Sequence, residues 1–265
     1  MSPADKAQDA IGDAASNSSN ANRWVAVIIG GSGAIGGAIA RHFAQAGARC
    51  VVTFNKDEQA AQRVVASLPG KGHWMHKVAV DDSAGLAALA AEVAARDGRL
   101  DVLVNCAGIT RFVPHHDLDA LDDALIDNIL RVNVRGPLAA VRAFRGLLAA
   151  DPGGLVINIS SIAGATAMGS NVAYCASKAA LDNTTRSLAR ALAPAIRVVS
   201  VSPGLVDTDF VKNLDQTWRN EQAQRTPLKR LASADEIGAA ALAVVTHLKY
   251  STGCIIPVDG GRPLA

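Results

Sequence analysis

Tyr174 and Lys178 lie four positions apart in the run NVAYCASKAAL, residues 171–181. On a helix that spacing stacks a phenol and an ammonium on one face, where hydroxyl and charge can meet. An ammonium close to a phenol favours the phenolate, so the pair reads as a proton-transfer device if a reacting group stands nearby. Thirteen residues before the tyrosine, the stretch GLVINISS ends in Ser160 and Ser161. Alternation along a strand sends the two hydroxyls to opposite sides, and Ser161 is the one expected at the site.

A second chemical feature follows the first apolar run, in IIGGSGAIGGAIARHFAQAGA. A glycine-rich turn between a strand and a helix lets backbone approach a pyrophosphate, whose charge then faces the unpaired N–H groups of the helix start. Two registers fit: Gly31, Gly33 and Gly36 match G-x-G-x-x-G, while Gly30, Ala34 and Gly36 keep the spacing G-x-x-x-G-x-G with alanine in the middle. Ile35, Ile39 and Phe43 recur at four-residue spacing in the helix beyond, and a second strand arrives some 20 residues on, the context a dinucleotide site requires. That second strand ends at Phe54, Asn55 and Lys56. An amide and a lysine accommodate a ribose 2′-phosphate, whereas a carboxylate would repel it, which favours NADP(H) over NAD(H). Asp57 and Glu58, just beyond, pull the other way.

These groups need a scaffold, and the chain alternates short β-rich runs with alanine-rich helical stretches. The expected strands are WVAVII, RCVVTF, HKVAV, LDVLVN, LVINIS, IRVVSVS and CIIPVD, each nearly continuous in apolar residues as strands covered on both faces should be. Helical stretches are expected at 34–46, 58–68, 86–95, 172–192 and 234–246. The class is α/β, a doubly wound parallel sheet with helices on both faces. Without an internal linker or repeat, one domain is expected over residues 23–265, with a lid at about 207–231 where polar residues, Trp218 and Pro227 break the rhythm. Residues 1–22 are polar and Ser/Asn-rich towards their end, and read as a mobile leader with transient helix around 4–15.

Composition limits the function classes. With 265 residues of which 49% are hydrophobic, the chain can fill one core. A formal charge of +2 with scattered basic residues is no footprint for nucleic acid or an anionic membrane, and no apolar run reaches transmembrane length. Cys50, Cys106, Cys175 and Cys254 lie too far apart for a zinc motif or a disulfide framework, and a cytoplasmic setting is the default.

Together the hydroxyl, the phenol, the ammonium and the dinucleotide turn form a hydride-transfer set, and from Trp24 to about Pro263 the chain resembles the short-chain dehydrogenase/reductase family of single-domain type. The resemblance is carried in order by GGSGAIG, NCAG at 105–108, VNVRG at 132–136, NISSIAG at 158–164, YCASK at 174–178, SPGLVDT at 202–208 and VDGG at 258–261. It implies a Rossmann-type sheet of seven parallel strands, a homotetramer or homodimer, and a catalytic tetrad of Asn133, Ser161, Tyr174 and Lys178. In those roles Ser161 holds the substrate carbonyl, Tyr174 gives the proton, Lys178 binds the nicotinamide ribose, and Asn133 holds a water relay. The cofactor contacts it implies are Gly30, Ser32, Gly33, Ile35, Gly36, Asn55, Lys56, Val80, Asn105, Ala107 and Gly108, with Tyr174, Lys178 and the turn at Pro203–Gly204. Asn105 is also placed to tie neighbouring strands, and Val206 and Thr208 to meet the carboxamide and phosphates.

The chain departs from the family at Ile29, where threonine is common, at Ala34, where glycine is, and at Ala79, where an aspartate often meets the adenine amine; Asp81 and Asp82 follow just beyond. The overall pattern is nearest to 3-oxoacyl-carrier-protein reductases, notably TPLKRLASADEIGAAAL and VDGG, so reduction of a 3-oxoacyl thioester with NADPH is expected. The segments AADPG and ALAPA lack the basic cluster that docking an acidic carrier would use, which leaves small alcohols, sugars and ketones as alternative substrates. Among other classes, a serine hydrolase lacks G-x-S-x-G, and PHHD at 114–117 lacks a third metal ligand. A non-catalytic nucleotide sensor on the same fold remains a rival, although all four tetrad positions are filled.

Overall fold

The computed structural model describes residues 24–208 and 215–264. The expected leader over 1–22, its helix at 4–15, and residues 209–214 of the expected lid lie outside these. Seven strands form one parallel sheet: β1 Val25–Ile29, β2 Arg49–Phe54, β3 Trp74–Lys77, β4 Val102–Asn105, β5 Gly154–Ile159, β6 Ile196–Pro203 and β7 Ile255–Val258. Their order is β3-β2-β1-β4-β5-β6-β7. The order reverses between β1 and β4, and the crevice beyond the C-terminal ends of those two strands is where an open α/β sheet takes a ligand.

Both faces are covered. Ile28, Ile157, Ile39, Phe43 and Ile237 pack on one side, and Val27, Leu103, Val156, Leu86 and Phe144 on the other, so neighbouring residues of one strand serve opposite cores. Each side chain of this size contributes about 1.5–3 kcal/mol by burial. The helices are α1 Ala34–Gln45, α2 Glu58–Ser67, α3 Ser83–Asp97, α4 Asp123–Leu130, α5 Gly136–Leu148, α6 Ala163–Thr166, α7 Val172–Leu192, α8 Gln216–Arg225 and α9 Ala234–Thr246.

One strand differs from the sequence expectation, and two features go beyond it. β3 is WMHK, not HKVAV: its ladder runs from Trp74 opposite Val51 to Lys77 opposite Phe54, and β2 ends there. Val78 and Val80 are buried beyond the strand, so their apolar alternation reflects packing under the turn into α3. The region where a lid is expected carries helix α8, capped by Asp215, whose side chain accepts from Trp218 N. Finally, α4 and α5 are joined by a π-helical turn, Arg131–Arg135, in which Gly136 N–H reaches back to Arg131 O. Pro137 explains it: a proline has no N–H to offer the carbonyl four residues earlier, that of Asn133, and its ring crowds it.

Candidate active site

Helix α7 starts where Asn171 accepts a hydrogen bond from Tyr174 N at 2.7 Å, and this cap fixes which residues occupy the first turns. Tyr174 is half-buried and Lys178, one turn on, is 6% exposed. Lys178 Nζ donates to Ile159 O at 2.8 Å and lies 5.7 Å from the centre of the Tyr174 ring. The helix thus brings phenol and ammonium together, and the end of β5 holds the ammonium in place. Ser161 follows β5; its Oγ accepts from Ala163 N at 3.2 Å, an arrangement that leaves the hydroxyl hydrogen to donate. Ser160 turns the other way and is buried at 4% exposure, as alternation required.

Asn133 sits in the π turn, 1% exposed. Its Oδ1 accepts from Ile109 N at 2.8 Å, and its Nδ2 donates to Ile109 O at 3.0 Å and to Ser177 Oγ at 3.1 Å. Ser177 in turn donates to Tyr174 O at 2.7 Å. A Cβ placed on Gly108 would stand 3.4 Å from Asn133 Oδ1 and 3.7 Å from Lys178 Nζ, so the loop after β4, the π turn and α7 converge on one spot. Sequence reasoning missed Ser177; its signal was a hydroxyl three residues after the tyrosine, able to reach back to that residue's carbonyl. The following loop lies against the pair: a Cβ on Gly164 would come 2.8 Å from the Lys178 backbone, and one on Gly169 would come 3.1 Å from Tyr174 Cδ1.

The glycine turn after β1 borders the crevice between β1 and β4. Gly30 has φ +80°, and a Cβ there would meet Ala107 N at 2.7 Å; a Cβ on Gly36 would meet Gly30 O at 2.4 Å. Glycine is therefore required at both positions, and the turn presents bare backbone to the crevice. Ala34 is exposed, which gives its methyl room at the departure from glycine. Helix α1, with Ile35 in its first turn, begins at Gly33 without a capping side chain and without an acidic residue there, so its N–H groups stay available to an anion. Thr53 Oγ1 accepts from Gly30 N at 3.0 Å, a hydroxyl tie that Ile29 does not supply, and Ser32 N donates to Thr53 O at 3.3 Å. These residues fit a pyrophosphate.

Around the rest of the crevice, Asn55 and Lys56 are exposed at the end of β2, while Asp57 caps α2 by accepting from Ala60 N at 2.8 Å. Val80 is buried against Gly136. Asp81 pairs with Arg131 at 3.1 Å and Asp82 caps α3 through Ala84 N and Gly85 N at 3.1 and 3.0 Å, so both carboxylates beyond β3 are engaged. Asn105 Nδ2 donates to Asn158 Oδ1 at 2.8 Å and ties β4 to β5. Pro203 O accepts from Ile162 N at 3.0 Å, Gly204 N donates to Val258 O at 3.0 Å, and Thr208 N donates to Val206 O at 2.8 Å, which places this turn beside the Ser161 loop. Burial pushes the Cys106 thiol up to about 12 against the opposing charge of Lys178, which keeps it a thiol and no nucleophile.

Residues 30–262 match the family described as enoyl-(acyl carrier protein) reductase. The chain is 36% identical over 242 residues to a ketoacyl reductase named for the granaticin polyketide synthase of Streptomyces violaceoruber, covering 91% of this chain and 96% of that one. It is 37% identical over 243 residues to cis-4-hydroxycyclohexanecarboxylate dehydrogenase from Sinomonas cyclohexanicum, covering 89% and 95%. Among solved structures it superposes on one described as a short-chain dehydrogenase/reductase from Burkholderia xenovorans with a TM-score of 0.85 and 34% identity, over 93% of this chain and 100% of that one.

Proposed function

The chain belongs to the short-chain dehydrogenase/reductase family, and from that premise we propose that it reduces a carbonyl to a secondary alcohol with NADPH, with a 3-oxoacyl thioester as the best-fitting substrate. The observation that supports this chemistry is that Lys178, 5.7 Å from the centre of the Tyr174 ring, donates to Ile159 O at the end of β5, just before Ser161 in the chain. The nicotinamide, when bound, supplies the hydride from C4. Ser161 donates its hydrogen to the substrate carbonyl oxygen, where negative charge develops. Tyr174 gives that oxygen a proton. Lys178 uses one donor on Ile159 O and keeps two for the ribose hydroxyls, while its charge favours the phenolate that Tyr174 becomes. Asn133 fixes Ile109 and Ser177, and with them the loop and the turn of α7 beside the ammonium; a water relay from Lys178 would pass here.

The preference for NADPH rests on Lys56 and Asn55, exposed with no ion pair among the described residues, beside an Asp57 committed to its helix cap. The thioester reading is supported by the ketoacyl reductase relative. Arg111, beside the start of α7, is paired with Asp122 at 3.3 Å, which supports a short free thioester over an acidic carrier protein. A second reading, oxidation of a small secondary alcohol, is supported by the hydroxycyclohexanecarboxylate dehydrogenase relative. A cytoplasmic homotetramer or homodimer, with residues 207–231 serving as a substrate lid, completes the proposal.

Initial rates of NADPH and NADH oxidation with a short 3-oxoacyl thioester test it. Faster turnover with NADPH is expected; turnover only with secondary alcohols and an oxidised cofactor would favour the second reading.

A further inference from the structure

Asp182 is a buried ionisable group that the chemistry above does not use. It lies on α7 one turn beyond Lys178 and two beyond Tyr174, on the same face, and is 6% exposed. Its Oδ1 has no hydrogen-bond partner, and neither has the Oγ of buried Ser160. Beside it runs a buried polar chain: Asn105 to Asn158 at 2.8 Å, Asn158 to Thr185 at 2.8 Å, and Thr185 with Ser200 at 2.8 Å. Burial pushes the Asp182 carboxyl up, and the nearby Ser160 and Ser200 hydroxyls partly offset this, although neither Asp182 Oδ1 nor Ser160 Oγ completes a hydrogen bond. The charges acting on it are Arg186 and Lys178 of its own helix; β5 and β6 face it with the hydroxyls of Ser160 and Ser200, and Cys106 beyond β4 interacts with Lys178.

We propose that Asp182 is a positioning residue for the proton-transfer pair: its carboxylate backs Ser160 while Lys178 grips Ile159, so one face of α7 holds the strand end that presents Ser161, and its negative charge tempers the field of Lys178 at Tyr174. The proposal rests on Tyr174 and Lys178 being the proton-transfer pair. Eight residues of helix set Asp182 about 12 Å from Tyr174 along the axis, close enough in a protein interior for its charge to move a phenol's titration by about half to one pH unit. With Asp182 ionised the phenolate is opposed, so removing the charge favours it.

The chain has two tyrosines, and Tyr250 is fully exposed at 105%. In a Tyr250→Phe background the near-ultraviolet absorbance of tyrosinate therefore reports Tyr174 alone, without any substrate. Asp182→Asn is expected to move the Tyr174 titration midpoint down by about half to one pH unit. Asp182→Ser, smaller and also uncharged, is expected to move it the same way, which separates loss of charge from misfit of the amide. A midpoint that stays put or rises in both variants, whatever their unfolding temperature, overturns the proposal. Turnover that survives Tyr174→Phe would instead overturn the proton-donor reading, an outcome the titration does not share.

Discussion

Asn133 donates through Nδ2 to Ser177 Oγ at 3.1 Å, and Ser177 passes its own hydrogen to the Tyr174 carbonyl at 2.7 Å. The π turn and the first turns of α7 are thereby locked together by buried side chains. Asn133→Ala would strand Ile109 N–H and C=O as well as Ser177 Oγ, and a cost of roughly 2–3 kcal/mol is expected in denaturant unfolding. Ser177→Ala keeps both Ile109 bonds and is expected to cost only about 1 kcal/mol. Equal costs for the two variants would contradict this division.

The dinucleotide turn allows no side chain at Gly36, where a Cβ would stand 2.4 Å from Gly30 O. Gly36→Ala must push α1 away from the turn, so loss of NADPH binding by fluorescence titration and a destabilisation of about 1–3 kcal/mol are expected. By contrast Gly33→Ala, whose Cβ would meet nothing closer than Gly30 O at 3.6 Å, should fold with nearly native stability. Tight NADPH binding by the Gly36 variant would remove the pyrophosphate from this turn.

Cofactor choice turns on the exposed end of β2. Lys56→Ala is expected to raise the KM for NADPH roughly five- to tenfold and leave that for NADH unchanged, because only the 2′-phosphate meets the missing charge. The effect should shrink as salt is added. An equal change for both cofactors would place Lys56 away from the phosphate.

Acid stability has a specific contributor at the start of α9. Glu236 is held down from 4.5 to about 2, first by its hydrogen bonds to Arg230 and then by Ser233 N in the capping box. A lowered folded-state value means the contribution is complete above 4.5 and is lost as pH falls towards 2. The Glu236 side chain is 40% exposed, so salt should weaken the effect. Glu236→Gln is expected to flatten the dependence of unfolding midpoint on pH in that window; an unchanged slope would assign acid sensitivity elsewhere.

Much of this was legible from the chain because burial on both faces leaves β1, β2, β4, β5 and β6 as continuous apolar runs between glycine and asparagine turns. β3 was misread because it is an edge strand whose end is dictated by Phe54 of its neighbour, while Val78 and Val80 mimic a strand by packing under a turn. Pro137 marked the π turn, yet a proline inside an apolar stretch reads equally as a helix start. The Tyr174 and Lys178 spacing was readable, whereas Ser177 and Asp182 gain meaning only from what β4, β5, β6 and the π turn bring against them.

Tyr174→Phe, compared with the native protein for NADPH-dependent reduction of a carbonyl substrate, is the most direct measurement. The variant should bind NADPH as the native chain does and lose turnover by roughly a hundred- to ten-thousand-fold, the usual contribution of a positioned general acid. Turnover within a few-fold of native, with NADPH still bound, would contradict the assignment of Tyr174 as the proton donor.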